Sequence, residues 1–333
     1  MITINNKSYS KEDVIKRNAD RTIYGIKQYQ LTGGKSGGLN MVEVHNAQGL
    51  SLDLCADRCL DITALTFKGV NMGYQSKNAL VNPQFVNVFH DYMTGGMLFS
   101  SGLSTSGGGG DYKGEFQPFH GKINITPADN VCARIEGDAC VISGTMQESV
   151  LFGRRLTLER KITVPLDKAA VIIEDTITNN TMRDEYYFML YHYNYGFPFL
   201  DEGLTVTFPT DKVETRTDYA AKTLDEHCVM SAPLDNIEEA VFFHTFTGDA
   251  PKEAVVELIN EKLGIKSRLI YETAHLPMLG EWKSMGSTDY ALGIEPSTSS
   301  LKGRKGEIES GYDKILKPFE SVSIKTALEF ESL

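Results

Sequence analysis

The sequence predicts an all-β chain of packed antiparallel sheets with little helix. Three observations carry this. Hydrophobic residues recur with period two in many short segments, turn residues punctuate those segments, and helix-start signals are few. Period two is the spacing at which successive side chains leave opposite faces of a strand. Many short strands broken by turns are the pattern of sheets packed face to face.

Along the chain, Ser10-Lys11-Glu12-Asp13 is a cap followed by acidic residues, and predicts one short helix over 10–18. Residues 42–45 and 50–54, joined through Asn46-Ala47-Gln48-Gly49, read as a hairpin. The clearest strand is 156–164, where Leu156, Leu158, Ile162 and Val164 alternate with Thr157, Glu159, Lys161 and Thr163. Segments 170–178, 185–193, 204–208, 240–246, 254–259, 267–271, 290–294 and 321–330 repeat the pattern in shorter form. Residues 254–263 fit a helix equally well, although Val255-Val256 leans toward strand. The glycine-rich run 105–111 reads as a flexible loop, either beside a site or on plain surface. No stretch resembles a linker and no fixed period repeats. A single domain over 1–333 is therefore expected, with the helix as an appendage.

Composition excludes several function classes. The net charge of −11 disfavours nucleic acid and anionic membrane as partners, because both are bound chiefly through Lys and Arg. Cys55-x-x-x-Cys59 lacks a second ligand pair, so neither a zinc site nor any other metal is expected. The chain starts without an apolar leader and has no run of 18 apolar residues, which predicts a cytoplasmic protein with free thiols. Gly33-Gly34-Lys35-Ser36-Gly37-Gly38 lacks the spacing of a phosphate loop, and no cofactor motif appears.

Three residues stand out as candidates. His120 lies in Pro118-Phe119-His120-Gly121-Lys122. His192 lies in Tyr191-His192-Tyr193-Asn194-Tyr195, an aromatic run of the kind that covers the apolar faces of sugars. Glu295 ends a predicted strand before Pro296, well placed to point into a cleft. Read alone, each histidine is more often a hydrogen-bonded structural residue than a catalyst, and Glu295 more often a solvated strand end.

The order of these motifs resembles the galactose mutarotase-like superfamily, and within it a poorly characterised aldose 1-epimerase-like branch. The resemblance runs through Asp57-Arg58-Cys59-Leu60-Asp61-Ile62, Gly95-Gly96-Met97-Leu98, Ser101-Gly102-Leu103, His120-Gly121-Lys122 and Leu292-Gly293-Ile294-Glu295-Pro296. It implies a large antiparallel β-supersandwich with a sugar in a cleft on one sheet. It also implies Glu295 as general base, His192 as general acid, His120 as a holder of sugar hydroxyls, and Arg58 near the sugar. Asn194, Trp282, Lys122 and Lys283 are further expected substrate contacts. Two features depart from well-studied mutarotases. Those carry Asn-His-x-Tyr-Phe-Asn around the acid histidine, and their additional sugar-binding Asp has no clear counterpart here.

The implied reaction interconverts α and β anomers. A base takes the anomeric hydroxyl proton while an acid protonates the ring oxygen, the ring opens, C1–C2 rotates, and the ring recloses. A histidine of ordinary pKa near 6.5 suits the acid, and a carboxylate raised by burial suits the base. The pair is expected to flank a gap that fits one pyranose, with a bell-shaped pH profile whose acid limb belongs to the base. Two other readings stay open. One is an epimerase-like enzyme on an anionic sugar, with Arg58, Lys122, Lys283 and Arg304 as cations. The other is a sugar-binding protein without turnover.

Overall fold

The computed structural model describes residues 2–4 and 7–333. Strands take 50% of the chain and helices 11%, as the period-two reading requires. Three antiparallel sheets dominate. An eight-stranded sheet runs in the order Asp129–Glu136, Ala139–Ser149, Arg155–Pro165, Ala170–Asn179, Ser321–Ser332, Ile265–Glu272, Glu253–Asn260, Thr205–Thr207. A six-stranded sheet runs Leu98–Leu103, Phe188–Tyr195, Asp289–Ser297, Met278–Gly286, Ala240–Thr245, Lys212–Thr215. A five-stranded sheet holds the predicted hairpin, with Asn40–His45 paired to Leu50–Cys55.

Strands of the eight-stranded sheet bury one face. In Arg155–Pro165, Leu156, Leu158, Ile162 and Val164 are buried while Arg155, Glu159 and Lys161 face solvent. The same alternation buries Ile324, Leu328 and Phe330 near the C-terminus. Side chains of this size contribute about 1.5–3 kcal/mol each when fully buried. They join one hydrophobic cluster that also draws Leu50, Leu52, Leu54, Ile62 and Leu65 from the five-stranded sheet.

Several expectations shift. Residues 254–263 form a strand, Glu253–Asn260, because Ala254, Val256 and Leu258 pack into the core with period two. The predicted 185–193 strand splits into Glu185–Tyr186 and Phe188–Tyr195, and the second is buried on both faces rather than one. The N-terminal helix is Lys11–Ile15, capped by Ser10 and Asp13 in a reciprocal box, and stops short of Asn18. Pro296 does not end its strand, which runs on to Ser297. No helix among the described residues is long and apolar enough to cross a membrane.

Candidate active site

The strand Phe188–Tyr195 is oriented by its tyrosines. Tyr191, Tyr193 and Tyr195 all turn toward the eight-stranded sheet, where their hydroxyls meet Asp175 Oδ2 at 2.8 Å, Thr326 Oγ1 at 2.6 Å and Ser267 Oγ at 3.1 Å. Period two then turns His192 and Asn194 to the other face. The pairing of Tyr193 with Ile294 and Asn194 with Gly293 puts Glu295 directly across from His192. The ladder is interrupted at that point, because Pro296 has no N–H to donate. His192 Nε2 lies 3.1 Å from Glu295 Oε1, and both side chains are buried. Gly293 makes this approach possible. A Cβ there would sit 2.8 Å from His192 Cε1 and 3.0 Å from Glu295 Oε1.

The third candidate, His120, arrives on a tight loop. His120 and Gly121 both have left-handed backbone, with φ of 60° and 75°. Any side chain at Gly121 would strike the Gly102 carbonyl, at 2.1 Å. His120 Nδ1 lies 3.1 Å from Ser101 Oγ and accepts a long bond from the Gly107 N–H at 3.4 Å, which leaves Nε2 as its free nitrogen. The rings of His120 and His192 are 6.1 Å apart. All three candidates line one cleft of about 610 Å³, walled by Tyr74, Phe89, Phe119 and Trp282. The Trp282 ring meets His192 edge-on at 5.5 Å, and its Nε1 donates to Glu239 Oε2 at 2.7 Å.

Burial sets the electrostatics. It pushes the Glu295 carboxyl up to about 8, with the Glu239 charge adding to the rise and Arg216 opposing it. It pushes His192 down to about 3, with the Asn194 side chain pulling the other way. His120 is held well below its ordinary value by burial, then by His192 and Arg216, so it stays neutral. His192 Nδ1 and Asn194 Oδ1 are buried without hydrogen-bond partners. Both nearby charges are features sequence reasoning missed. Arg216 lines the cleft without a side-chain hydrogen bond or ion pair among the described residues, and Glu239 stands at the same rim. Neither sits in a motif, and only the approach of its strand or loop brings it there.

Of the residues expected at the sugar, His120, His192, Trp282 and Glu295 line the cleft. The others do not. The Arg58 guanidinium is buried and donates to the Val81 and Tyr92 carbonyls, both at 2.8 Å. Lys283 is buried against the Glu226 and Val229 carbonyls. Arg304 pairs with Glu185 and the Ser104 carbonyl. Lys122 is exposed outside the cleft lining, and Asn194 is buried beneath it with Nδ2 on the His192 carbonyl. The cations that do line the cleft are Arg216 and Lys77, the latter paired with Asp289 at 2.7 Å. The aromatic run around His192 likewise faces the core, and other rings wall the cleft. The glycine-rich run does reach the site, through Gly107. His192 and Glu295 stand side by side rather than across a gap.

The architecture is that of the galactose mutarotase-like proteins. The chain superposes on a candidate aldose 1-epimerase of Klebsiella pneumoniae with a TM-score of 0.86 at 24% identity, over 92% of this chain and 83% of that one. It is also similar to a galactose mutarotase-like protein of Clostridium acetobutylicum, with a TM-score of 0.68 at 15% identity over 94% and 100% of the two chains. A galactose 1-epimerase of Lactobacillus acidophilus superposes with a TM-score of 0.60 at 12% identity over 93% and 99%. Within that class, the chain belongs to the family described as a domain of unknown function, DUF4432, whose family model matches residues 36–330. Comparison with curated proteins finds no match.

Proposed function

We propose that this protein is an aldose 1-epimerase acting on a free sugar in the cytoplasm. The observation that carries the reading is the buried contact of His192 Nε2 with Glu295 Oε1 at 3.1 Å on the wall of an aromatic-lined cleft. Anomer exchange moves two protons, one from the anomeric hydroxyl and one to the ring oxygen. Both oxygens are bonded to C1, so an acid and a base side by side serve them from one wall. Glu295 as carboxylate takes the hydroxyl proton and His192 as imidazolium protonates the ring oxygen. The neutral His120 holds a neighbouring hydroxyl through Nε2. Trp282 and Phe119 cover the apolar C–H faces of the ring. A positioned acid–base pair of this kind typically contributes about 10²–10⁴-fold.

A sugar-binding protein without turnover has no use for the pair. Burying a carboxyl and an imidazole in contact costs desolvation, and anomer exchange is a reaction that needs both groups at one place. The anionic-sugar reading keeps one supporting observation, the unpaired Arg216 at the cleft rim. The deciding experiment is NMR exchange spectroscopy of anomers over a panel of neutral and phosphorylated aldoses. Acceleration on at least one neutral aldose, lost in His192→Asn and Glu295→Gln, is the expected result. Acceleration confined to phosphorylated sugars and abolished by Arg216→Ala would move the assignment to the anionic class. No acceleration on any sugar that binds would refute turnover.

A further inference from the structure

The face of the six-stranded sheet turned away from the cleft carries a second cluster of ionisable groups. Gly280 and Trp282 face the cleft, so Glu281 between them points the other way, where it is fully buried. Two histidines converge on one of its oxygens. His244, from the neighbouring strand Ala240–Thr245, brings Nε2 to 3.0 Å from Oε2. His227, just after the short helix Leu224–Glu226, brings Nδ1 to 2.9 Å from the same atom. The donor atoms of the three residues lie within 4.8 Å of one another.

Four observations say what this arrangement suits. Neighbouring ligands of a tetrahedral ion bound at about 2.1 Å stand about 3.4 Å apart, so the contacts of 2.9 and 3.0 Å need open by only a few tenths of an ångström to admit one. The second Glu281 oxygen, Oε1, is buried with no hydrogen-bond partner, and an unpaired oxygen of a buried carboxylate is costly unless something charged meets it. Lys283, two residues along on the same face, does not meet it. Its ammonium is held by the Glu226 and Val229 carbonyls at 2.6 and 2.8 Å and makes no ion pair with Glu281 among the described residues. The surroundings are those of a supported site, buried at His244 and Glu281 and partly open to solvent at His227. Thr210 Oγ1 lies 3.2 Å from His244 Nδ1 and orients the ring, as outer-shell partners of metal-bound histidines do. Phe208 stacks on His244 at 3.9 Å and on His227 at 5.5 Å.

We propose that His227, His244 and Glu281 form a binding site for a divalent transition-metal ion, with Zn²⁺ as the occupant that two imidazoles and a carboxylate fit. The three protein groups leave the fourth position of a tetrahedral ion to water, and the bound ion fastens the 208–228 segment to two strands of the six-stranded sheet, across that sheet from the cleft. Cys228 Sγ, 3.3 Å from His227 Nε2, stands beside the cluster without belonging to the ligand set.

Chelator-stripped, dialysed protein titrated with ZnCl₂ by calorimetry tests this, with CoCl₂ titration followed by visible absorption in parallel. Expected are one equivalent of binding, a d–d band from cobalt bound to nitrogen and oxygen, and a rise in Tm with Zn²⁺. Loss of an outer-shell partner alone weakens metal sites about 10–100-fold, so loss of a ligand in His227→Gln or Glu281→Gln should weaken binding by at least about 100-fold. His227 lies at the edge of the cluster, and its variant should keep a native circular dichroism spectrum even where Glu281→Gln does not fold. Absence of stoichiometric binding by the folded protein would overturn the proposal and leave a hydrogen-bonded cluster that holds protons only. Binding that survives His227→Gln, or that is lost instead in His120→Ala, would place the ion elsewhere and overturn it equally. None of these readouts depends on anomerase activity.

Discussion

Between His192 Nε2 and Glu295 Oε1 there is room for a proton and nothing larger. The neutral pair and the carboxylate–imidazolium pair hold the same number of protons, so they are two tautomers of one titration state. With burial setting Glu295 at about 8 and His192 at about 3, that state spans the interval between them. Below the lower value both groups are protonated and no base remains. Above the upper value the pair has lost its proton and no acid remains. The expected kcat/KM profile for anomer exchange is therefore flat between limbs near the two values, with Glu295 on the alkaline limb. This reverses the limb order that ordinary pKa values suggest. A stopped-flow or NMR pH series on the natural protein checks it, and an alkaline limb far from about 8 would contradict it. The same shift has a stability consequence. The folded-state value of Glu295 lies above its ordinary 4.5, so folding binds a proton between the two values. That contribution is fully present below about 4.5 and is lost as pH rises through about 8. Glu295→Gln should therefore gain stability over the natural protein as pH rises across that range, by on the order of a few kcal/mol in urea melts. Gly293→Ala tests the geometry alone. Its Cβ displaces the His192 ring, and activity should fall about 100-fold or more while the thermal transition stays within a few degrees.

At the scale of the element, the strand Phe188–Tyr195 works because its two faces have different tasks. One face is three tyrosines whose hydroxyls are bonded to the eight-stranded sheet, and the other presents His192. Tyr191→Phe removes the bond to Asp175 and leaves a buried carboxylate under-satisfied, which should cost about 1–3 kcal/mol by chemical denaturation. The period-two signal of this strand is legible in the sequence, but not which face is which, since tyrosine serves a core and a sugar wall equally well. Segment 254–263 shows a local ambiguity settled by packing. Gly303–Glu309 shows the opposite case, a helix with no local start signal. Lys302 offers no side-chain cap there. Its N–H is met instead by Glu307 Oε1, which also takes the Ser300 hydroxyl.

Across the whole molecule, Arg160 ties the sheets together. It donates two bonds to Asp175 at 2.9 and 2.8 Å, one to Asp61 at 2.9 Å and one to the Cys59 carbonyl at 2.9 Å. Asp61 in turn accepts from the Ser100 N–H and hydroxyl at 2.8 and 2.6 Å. The eight-, six- and five-stranded sheets thus meet at one buried cation. Arg160→Met leaves two buried carboxylates without their counter-charge, and should cost about 3–5 kcal/mol. Because the three sheets share this node and one core, scanning calorimetry is expected to give a single cooperative transition. Two resolved transitions would show that the sheets unfold independently.

Period and punctuation are properties of a few consecutive residues, set by strand geometry and turn chemistry. That is why the β class, the hairpin, the N-terminal cap and the motif order around His120, His192 and Glu295 were legible in the chain alone. Which distant residues meet is a property of register and packing, and no local pattern encodes it. Arg58 stands in a motif yet turns its guanidinium to two backbone carbonyls, while Arg216, in no motif, lines the cleft. The contact of His192 with Glu295 required a ladder register and a glycine on the adjoining strand. The cluster of His227, His244 and Glu281 required three separate segments to close on one buried oxygen. The tertiary structure decided these, because a side chain's partner depends on which strands align and on which face each turns inward.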